Sequence, residues 1–331
     1  MHNHLPYNRL DHGDFMENWQ PHQGASDIWK IQGIIRESLI PDAVYSYRLS
    51  VYKIAYPMES FYAIQYTLGD ILRASGYSER IIVPQVIKKN KFVDFDSESL
   101  FCGDSVQILD TEKALVVRLR GNEFGLDLRL DKDLDPVWFG EGGKLQLSGG
   151  KHSPFSMFVG VMPRMDTFGR LLLQRQDMRV EGVSSIEHSW GSIPVKRAKL
   201  HWEKFYLFFN DGDEVSIVDM PLISKKEGTY VDPAGTAVEL NDFVFEPIEF
   251  MEIDEWRFSS KWQLDIPQLD KGPFYLMPLI PNQFSLPICR PLVGIYDKEG
   301  KCYGYGHGEL MPGARNELSR IGLRHYKHMY K

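Results

Sequence analysis

Cysteine is scarce. Cys102, Cys289 and Cys302 are the three in 331 residues, and no two of them form a CxxC pair. An odd count cannot pair completely, so no disulfide framework organises the chain, and a reduced, cytoplasmic compartment is expected. The opening MHNHLPYNRLDHGDF lacks the apolar core of a secretory signal. No run approaches the roughly 18 uninterrupted apolar residues of a membrane-spanning helix, so no membrane span is expected. Positive charge is also short. The 38 basic and 45 acidic residues leave a net charge of -7, which repels phosphate backbones and argues against a nucleic-acid partner. The basic cluster RIGLRHYKHMYK (Arg320 to Lys331) reads as a solvated helix or tail.

Familiar catalytic signatures are missing too. The ten histidines contain no HExxH, and His152, His188, His201 and His307 stand far apart, so their spacing supports no metal site. His2 and His4 fall in a polar stretch, residues 1–25, that reads as a flexible N-terminal arm. GVSSI (182–186) is one residue away from a GxSxG elbow and runs on into strand, so Ser184, Ser185 and Ser189 lack the setting of a nucleophile. GYGHG (304–308) is followed by ELMPG, which opens no helix; its glycines mark a strand where bulges or close backbone approach are needed. No repeat with a period of roughly 20–50 residues is visible.

What is present is aromatic and β-rich. Aromatics make up 13% of the chain, with 16 Tyr, 19 Phe and 7 Trp, which suits pleated surfaces and apolar pockets. Short runs with period two recur from Ile28 onward. In FGLDLRLD (124–131), Phe124, Leu126, Leu128 and Leu130 share one face while Asp127 and Arg129 share the other. Asp211-Gly212 and Glu299-Gly300 are hairpin signals. ESFYAIQYTLGDILRASGY (59–77) reads as a strand running into a helix stopped at Gly76, and NELSRIGLRHYKHMY (316–330) as a closing helix. The expectation is an all-β chain of two barrel or sandwich domains with a few short helices. The charge-rich VKRAKLHWEK (195–204) interrupts the runs, so the domains are placed at 26–195 and 196–331.

One stretch concentrates chemistry. In GVSSIEHSWGS (182–192), extended backbone puts Ser185, Glu187 and Ser189 on one face and Ile186, His188 and Trp190 on the other. Either Glu187 meets water on a half-buried strand, or a barrel closes around it. In the second case desolvation keeps the carboxyl protonated as an acid.

That stretch resembles the G-x-x-W-M-D-H-E-W signature of the hydroxyneurosporene synthase (carotenoid hydratase) and AttH-like family, which includes kievitone hydratase and lipocalin-like Diels–Alderases. GASDIWKIQGII (24–35), PFSMFVGVMPRMDTFGRLLL (154–173) and GKCYGYGHGEL (300–310) are similar to three further family segments in the same order. The resemblance implies two lipocalin-like β-domains, an apolar ligand site and no cofactor. By position, Glu187 matches the family's acidic residue, His188 its histidine, Trp190 its second tryptophan and Glu309 its late glutamate. Ser185 and Ser189 stand where the signature has Trp and Glu, which thins the acidic cluster of a carotenoid hydratase to one carboxyl.

The function expected is a cofactor-independent enzyme acting on a hydrophobic, alkene-containing small molecule by cyclisation, hydration or dehydration. Glu187 and His188 are the catalytic candidates. Trp29, Ser185, Trp190, Trp202, Tyr206, Tyr305 and Glu309 are the substrate-contact candidates. A lipophilic-ligand carrier and a hydrolase are the alternatives, and a homodimer is compatible with either.

Overall fold

The structure is a computed structural model that describes residues 15, 19–22, 25–55, 60–84, 93–95, 99–139, 143–146, 156–191, 201–221, 224–240, 242–253, 256–267, 271–280 and 289–311. His2, His4, His152, most of the expected boundary segment and the expected helix over 316–330 lie outside these residues. The chain is all-β: apart from single helical positions at 15, 221 and 267, the regular structure among the described residues is strand. No helix among them is long and apolar enough to cross a membrane, and the three cysteines are free thiols.

Two compact units divide the chain. One comprises Met1–Lys144 with Phe158–Gly191, the other Leu145–Met157 with Ser192–Lys331. The first sheet begins with long strands, β1 (Ser26–Glu37), β2 (Ile40–Ala55), β3 (Ser60–Asp70) and β4 (Ser75–Pro84). Shorter ones follow: β5 (Val93–Phe95), β6 (Ser99–Cys102), β7 (Val106–Asp110), β8 (Ala114–Arg120) and β9 (Phe124–Asp131). β10 (Val137–Trp138), β11 (Lys144–Gln146), β12 (Ser156–Leu173) and β13 (Gln176–Gly191) complete it. Its order is β4-β3-β2-β1-β13-β12-β9-β8-β7-β6-β5, with β10 and β11 also pairing β12.

The second sheet contains β14 (Trp202–Phe209), β15 (Glu214–Met220), β16 (Lys225–Val231), β17 (Ala237–Leu240) and β18 (Val244–Ile253). It ends with β19 (Trp256–Ile266), β20 (Lys271–Pro278), β21 (Leu292–Tyr296) and β22 (Cys302–Met311). Its order is β17-β16-β15-β14-β22-β21-β20-β19-β18. Both sheets are wound alike. The first strand of each pairs with the last, and antiparallel neighbours run outward on both sides.

Alternation explains the strands. Phe124, Leu126, Leu128 and Leu130 are all buried, whereas the side chains of Asp127 and Arg129 are about half exposed. The expected helix within 59–77 does not form. Tyr62, Ile64, Tyr66 and Leu68 alternate into the core as β3, residues 71–74 turn, and Gly76 lies inside β4 opposite Gly69. The spacing of Leu68, Ile71 and Leu72 imitates a helical period, but it spans a strand end and a turn in which Leu72 is exposed.

Side chains curl the first sheet toward closure. Glu79 on β4 accepts hydrogen bonds from Tyr66 and from the Asn122 backbone and side chain in the β8–β9 turn. The glycines of the last strand serve close approach: a Cβ on Gly304 would lie 2.1 Å from the carbonyl oxygen of Phe208.

The expected loose arm contains residues that pack tightly. Phe15 and Trp19 are 1% exposed and belong to the first unit's core, because a polar stretch carrying two large aromatics still gains by burying them. Trp19 is also held by its carbonyl, which accepts from the indole nitrogen of Trp29 at 2.9 Å.

Candidate functional site

The pairing of β1 with its two neighbours builds the site. Asp27 stands opposite Trp190 on β13 and Lys53 on β2, while Trp29 stands opposite His188 and Val51. Alternation sends Asp27, Trp29, Lys53, His188 and Trp190 to the core side of the sheet, where Trp29, Val51 and Trp190 join the first unit's core.

Asp27 is fully buried and holds several partners at once. Its Oδ2 accepts from Lys53 Nζ at 3.1 Å, and its Oδ1 lies 2.7 Å from His22 Nδ1 and 3.5 Å from His188 Nε2. The backbone nitrogen of His22 donates to both oxygens at 3.2 Å, and Lys53 also donates to the carbonyl of His22. Burial by itself raises a carboxyl pKa. Here the contact with His188, the hydrogen bonds from His22 and the charge of Lys53 outweigh it and hold Asp27 at about 2. The site therefore contains a buried carboxylate.

His188 is 1% exposed, and burial pushes it below the ordinary histidine value against the opposing pull of Asp27. A neutral imidazole results. Neither ring nitrogen has an aligned hydrogen bond; the 3.5 Å approach to Asp27 is an electrostatic contact. Rings enclose it: Trp29 stacks on it at 4.8 Å, Trp190 lies 4.9 Å away and Trp19 6.0 Å away. His22, whose side chain is 27% exposed, stacks on Trp190 at 4.5 Å. Phe158 also stacks on Trp190, at 5.4 Å, and Trp138 meets it edge-on at 5.5 Å. Tyr62 is near enough to feel the Asp27 charge. Burial first, then that charge, pushes its hydroxyl up to about 12.

Glu187 occupies the other face. It is 3% exposed, so it does not meet water, but it points away from the core that holds Ile186 and Trp190. Its Oε1 accepts from Ser189 at 2.5 Å and lies 3.5 Å from Lys30 Nζ, its directly opposed neighbour on β1. Ser185 is buried on that face beside Gln32, which accepts from Arg48 at 3.1 Å. Glu187 and His188 therefore stand in different surroundings and do not converge on one point.

The remaining candidates belong to the second unit. Trp202 donates its indole N–H to Glu309 at 3.3 Å. Tyr206 is buried with the Lys204 ammonium 5.0 Å from its ring centroid, and Tyr305 is half-buried opposite Phe208. On the core side of this unit Glu203 accepts from Ser259 at 2.5 Å and from Trp262 at 2.6 Å, and burial pushes its carboxyl up against those bonds.

Sequence reasoning had not found Asp27, His22, Lys53 or Trp138. Asp27 had a weak signal, since it precedes Trp29 by two and shares its face. His22 had none. His22, Asp27 and His188 are also the group among the described residues that could hold a metal ion, with ligand atoms within 4.8 Å of one another. This brings together histidines whose sequence spacing predicted no site. Lys53, 3.1 Å from the same carboxylate, already supplies positive charge there, so a divalent ion would add charge to an occupied position.

Fold and site together define a lipocalin-like protein of two β-units whose first unit encloses a carboxylate–imidazole pair in aromatic walls. The chain belongs to the AttH-like family, whose sequence pattern matches residues 96–310, more than half its length. No curated protein matches the chain in sequence. Among crystal structures, an AttH protein from Nitrosomonas europaea is similar with a TM-score of 0.73 and 14% identity, over 90% of this chain and 96% of that one. Kievitone hydratase from Nectria haematococca is similar with a TM-score of 0.64 and 14% identity, over 89% and 91%. CghA in complex with Sch210972 is similar with a TM-score of 0.50 and 8% identity, over 87% and 88%.

Proposed function

We propose that the chain is a cofactor-independent enzyme of specialised metabolism. In this reading it hydrates, dehydrates or cyclises a hydrophobic, alkene-containing molecule in the aromatic interior of its first unit. The observation that carries the reading is the state of His188: a neutral imidazole with no aligned hydrogen bond at either nitrogen, stacked on Trp29 beside an ionised Asp27. A neutral imidazole accepts a proton, and a neighbouring carboxylate stabilises the imidazolium that forms. His188 is then the base that takes a proton and returns it, Asp27 is its positioning residue, and Lys53 fixes Asp27. The indoles of Trp29 and Trp190 stabilise positive charge developing on a substrate or on the ring. Glu187 belongs to an ion pair with Lys30 on the other face and holds β13 against β1 rather than moving a proton. Kievitone hydratase, a fold neighbour, is named for a hydration, and the reaction class fits that name.

The test is metabolite comparison after gene inactivation, followed by addition of the purified chain. An accumulating precursor that differs from the lost product by one water identifies hydration or dehydration; an isomeric precursor identifies cyclisation. Conversion by the wild type without an added cofactor, and none by His188→Phe, supports the reading. Full conversion by His188→Phe removes His188 from catalysis. Binding of the precursor without conversion makes the protein a carrier.

A further inference from the structure

Three buried polar atoms without hydrogen-bond partners border a single indole. They are the two ring nitrogens of His188 and Nε1 of Trp138. Their rings lie 4.9 and 5.5 Å from that of Trp190, and both residues are almost wholly buried. Buried polar groups are nearly always matched, so this concentration points to an occupant that supplies the partners.

The chemistry of the three atoms narrows the occupant. An indole nitrogen only donates. His188 turns Nε2 toward the ionised carboxylate of Asp27, 3.5 Å away, which favours the proton on Nε2 and leaves a lone pair on Nδ1. The interior thus offers one free donor, Trp138 Nε1, and one free acceptor, His188 Nδ1. A hydroxyl is the group with the chemistry to serve both kinds of atom, accepting from the first and donating to the second. An ether satisfies only the donor, and a hydrocarbon neither. Around these atoms stand Trp190, Phe158, Trp29 and Phe15, flat faces that suit a planar, unsaturated ring system.

We propose that the substrates of this site are planar phenols or enols, with the hydroxyl held between Trp138 Nε1 and His188 Nδ1. This deepens the function proposed above and rests on its placing of the site in the first unit. Trp138 is then a substrate-binding residue. The proton leaves oxygen for Nδ1 as the O–H bond breaks and the N–H bond forms. The products of the step are an imidazolium facing Asp27 and a phenolate or enolate still hydrogen-bonded to Trp138. The electron pair released onto the conjugated system is the nucleophile that a ring closure needs, or the push that expels a leaving group.

Isothermal titration of the full chain with 2-naphthol and with 2-methoxynaphthalene tests the proposal. The two probes share one ring system and differ in the hydroxyl proton. 2-Naphthol should bind roughly tenfold tighter than the ether, the difference one matched hydrogen bond makes. Trp138→Phe, which keeps an aromatic ring and removes the N–H, should weaken both probes. His188→Phe should weaken 2-naphthol alone, and unchanged ether binding in that variant shows an intact site. Equal affinity for the two probes, binding of neither, or 2-naphthol binding unaffected by both substitutions overturns the proposal; an ordered water then satisfies the three atoms. These titrations read binding alone. A naphthol preference that persists while His188→Phe still converts the metabolic precursor would sink the catalytic role and leave the hydroxyl subsite standing.

Discussion

The imidazole of His188 lies on the indole of Trp29 with ring centroids 4.8 Å apart and planes 13° from parallel. The two residues are directly opposed on β13 and β1, so the strand register itself creates the stack. The indole is pinned in turn by its bond to the Trp19 carbonyl. Trp29→Ala removes the stack, that bond and a fully buried ring together. It should cost about 3–5 kcal/mol of stability in urea unfolding. A loss below about 1 kcal/mol would mean that the ring adds little packing.

His188→Phe behaves in the opposite sense. It keeps the aromatic volume and deletes two buried nitrogens that have no aligned partner. Each such atom costs on the order of 1 kcal/mol, so the variant should be more stable than the wild type by about 1–2 kcal/mol. Differential scanning calorimetry of the two proteins decides it. A lower melting temperature would show that the contact with Asp27 outweighs the desolvation of the ring.

Asp27→Asn should be costly. The substitution leaves the Lys53 ammonium, 3.1 Å away and 7% exposed, without its counter-charge. Breaking one side of a buried pair typically costs about 3–5 kcal/mol. Adding Lys53→Met to Asp27→Asn should recover most of that loss. Equal stability of the single and double variants in denaturant titration would contradict the pairing.

Acid should destabilise the protein in two separable stages. Burial depresses His188 below its usual 6.5, so as pH falls through 6.5 the unfolded chain binds a proton that the folded chain refuses. Asp27 is depressed from 3.8 to about 2, so its contribution is complete above 3.8 and disappears as pH falls toward 2. That second contribution is worth about 2 kcal/mol. Unfolding free energies measured across this range should lose the upper stage in His188→Phe and the lower stage in Asp27→Asn. A wild-type curve that stays flat between pH 7 and 5 would contradict the buried neutral imidazole.

Much of this fold was readable as local pattern. FGLDLRLD announced its buried face, the Asp211-Gly212 and Glu299-Gly300 turns join β14 to β15 and β21 to β22, and GYGHG proved to be a close-packed strand. The separation of Glu187 from His188 was equally readable, because it needs only period two. Asp27, His22, Lys53 and Trp138 were not. Each sits in a segment with its own sufficient local explanation; Asp27, His22 and Lys53 meet His188 only through the pairing of a first strand with a last one, and Trp138 reaches Trp190 from β10, which pairs β12. No local period encodes that register. His22 was harder still, since its segment belongs to no strand and is anchored by two aromatics that look incidental in a polar stretch.

The pairing of β1 with β13 joins Lys30 to Glu187, 157 residues apart. On the ribosome, β1 and β2 emerge early and can zip at once, bringing Asp27 to Lys53. The opposite edge of β1 then waits, its backbone groups uncovered, until residue 191 has been made and has left the exit tunnel. The imidazole arrives last, at a position whose charge is already set. Biosynthesis thus assembles the electrostatic half of the site long before the chemical half, and until then the nascent chain is open to misassociation along the uncovered edge of the strand that carries Asp27.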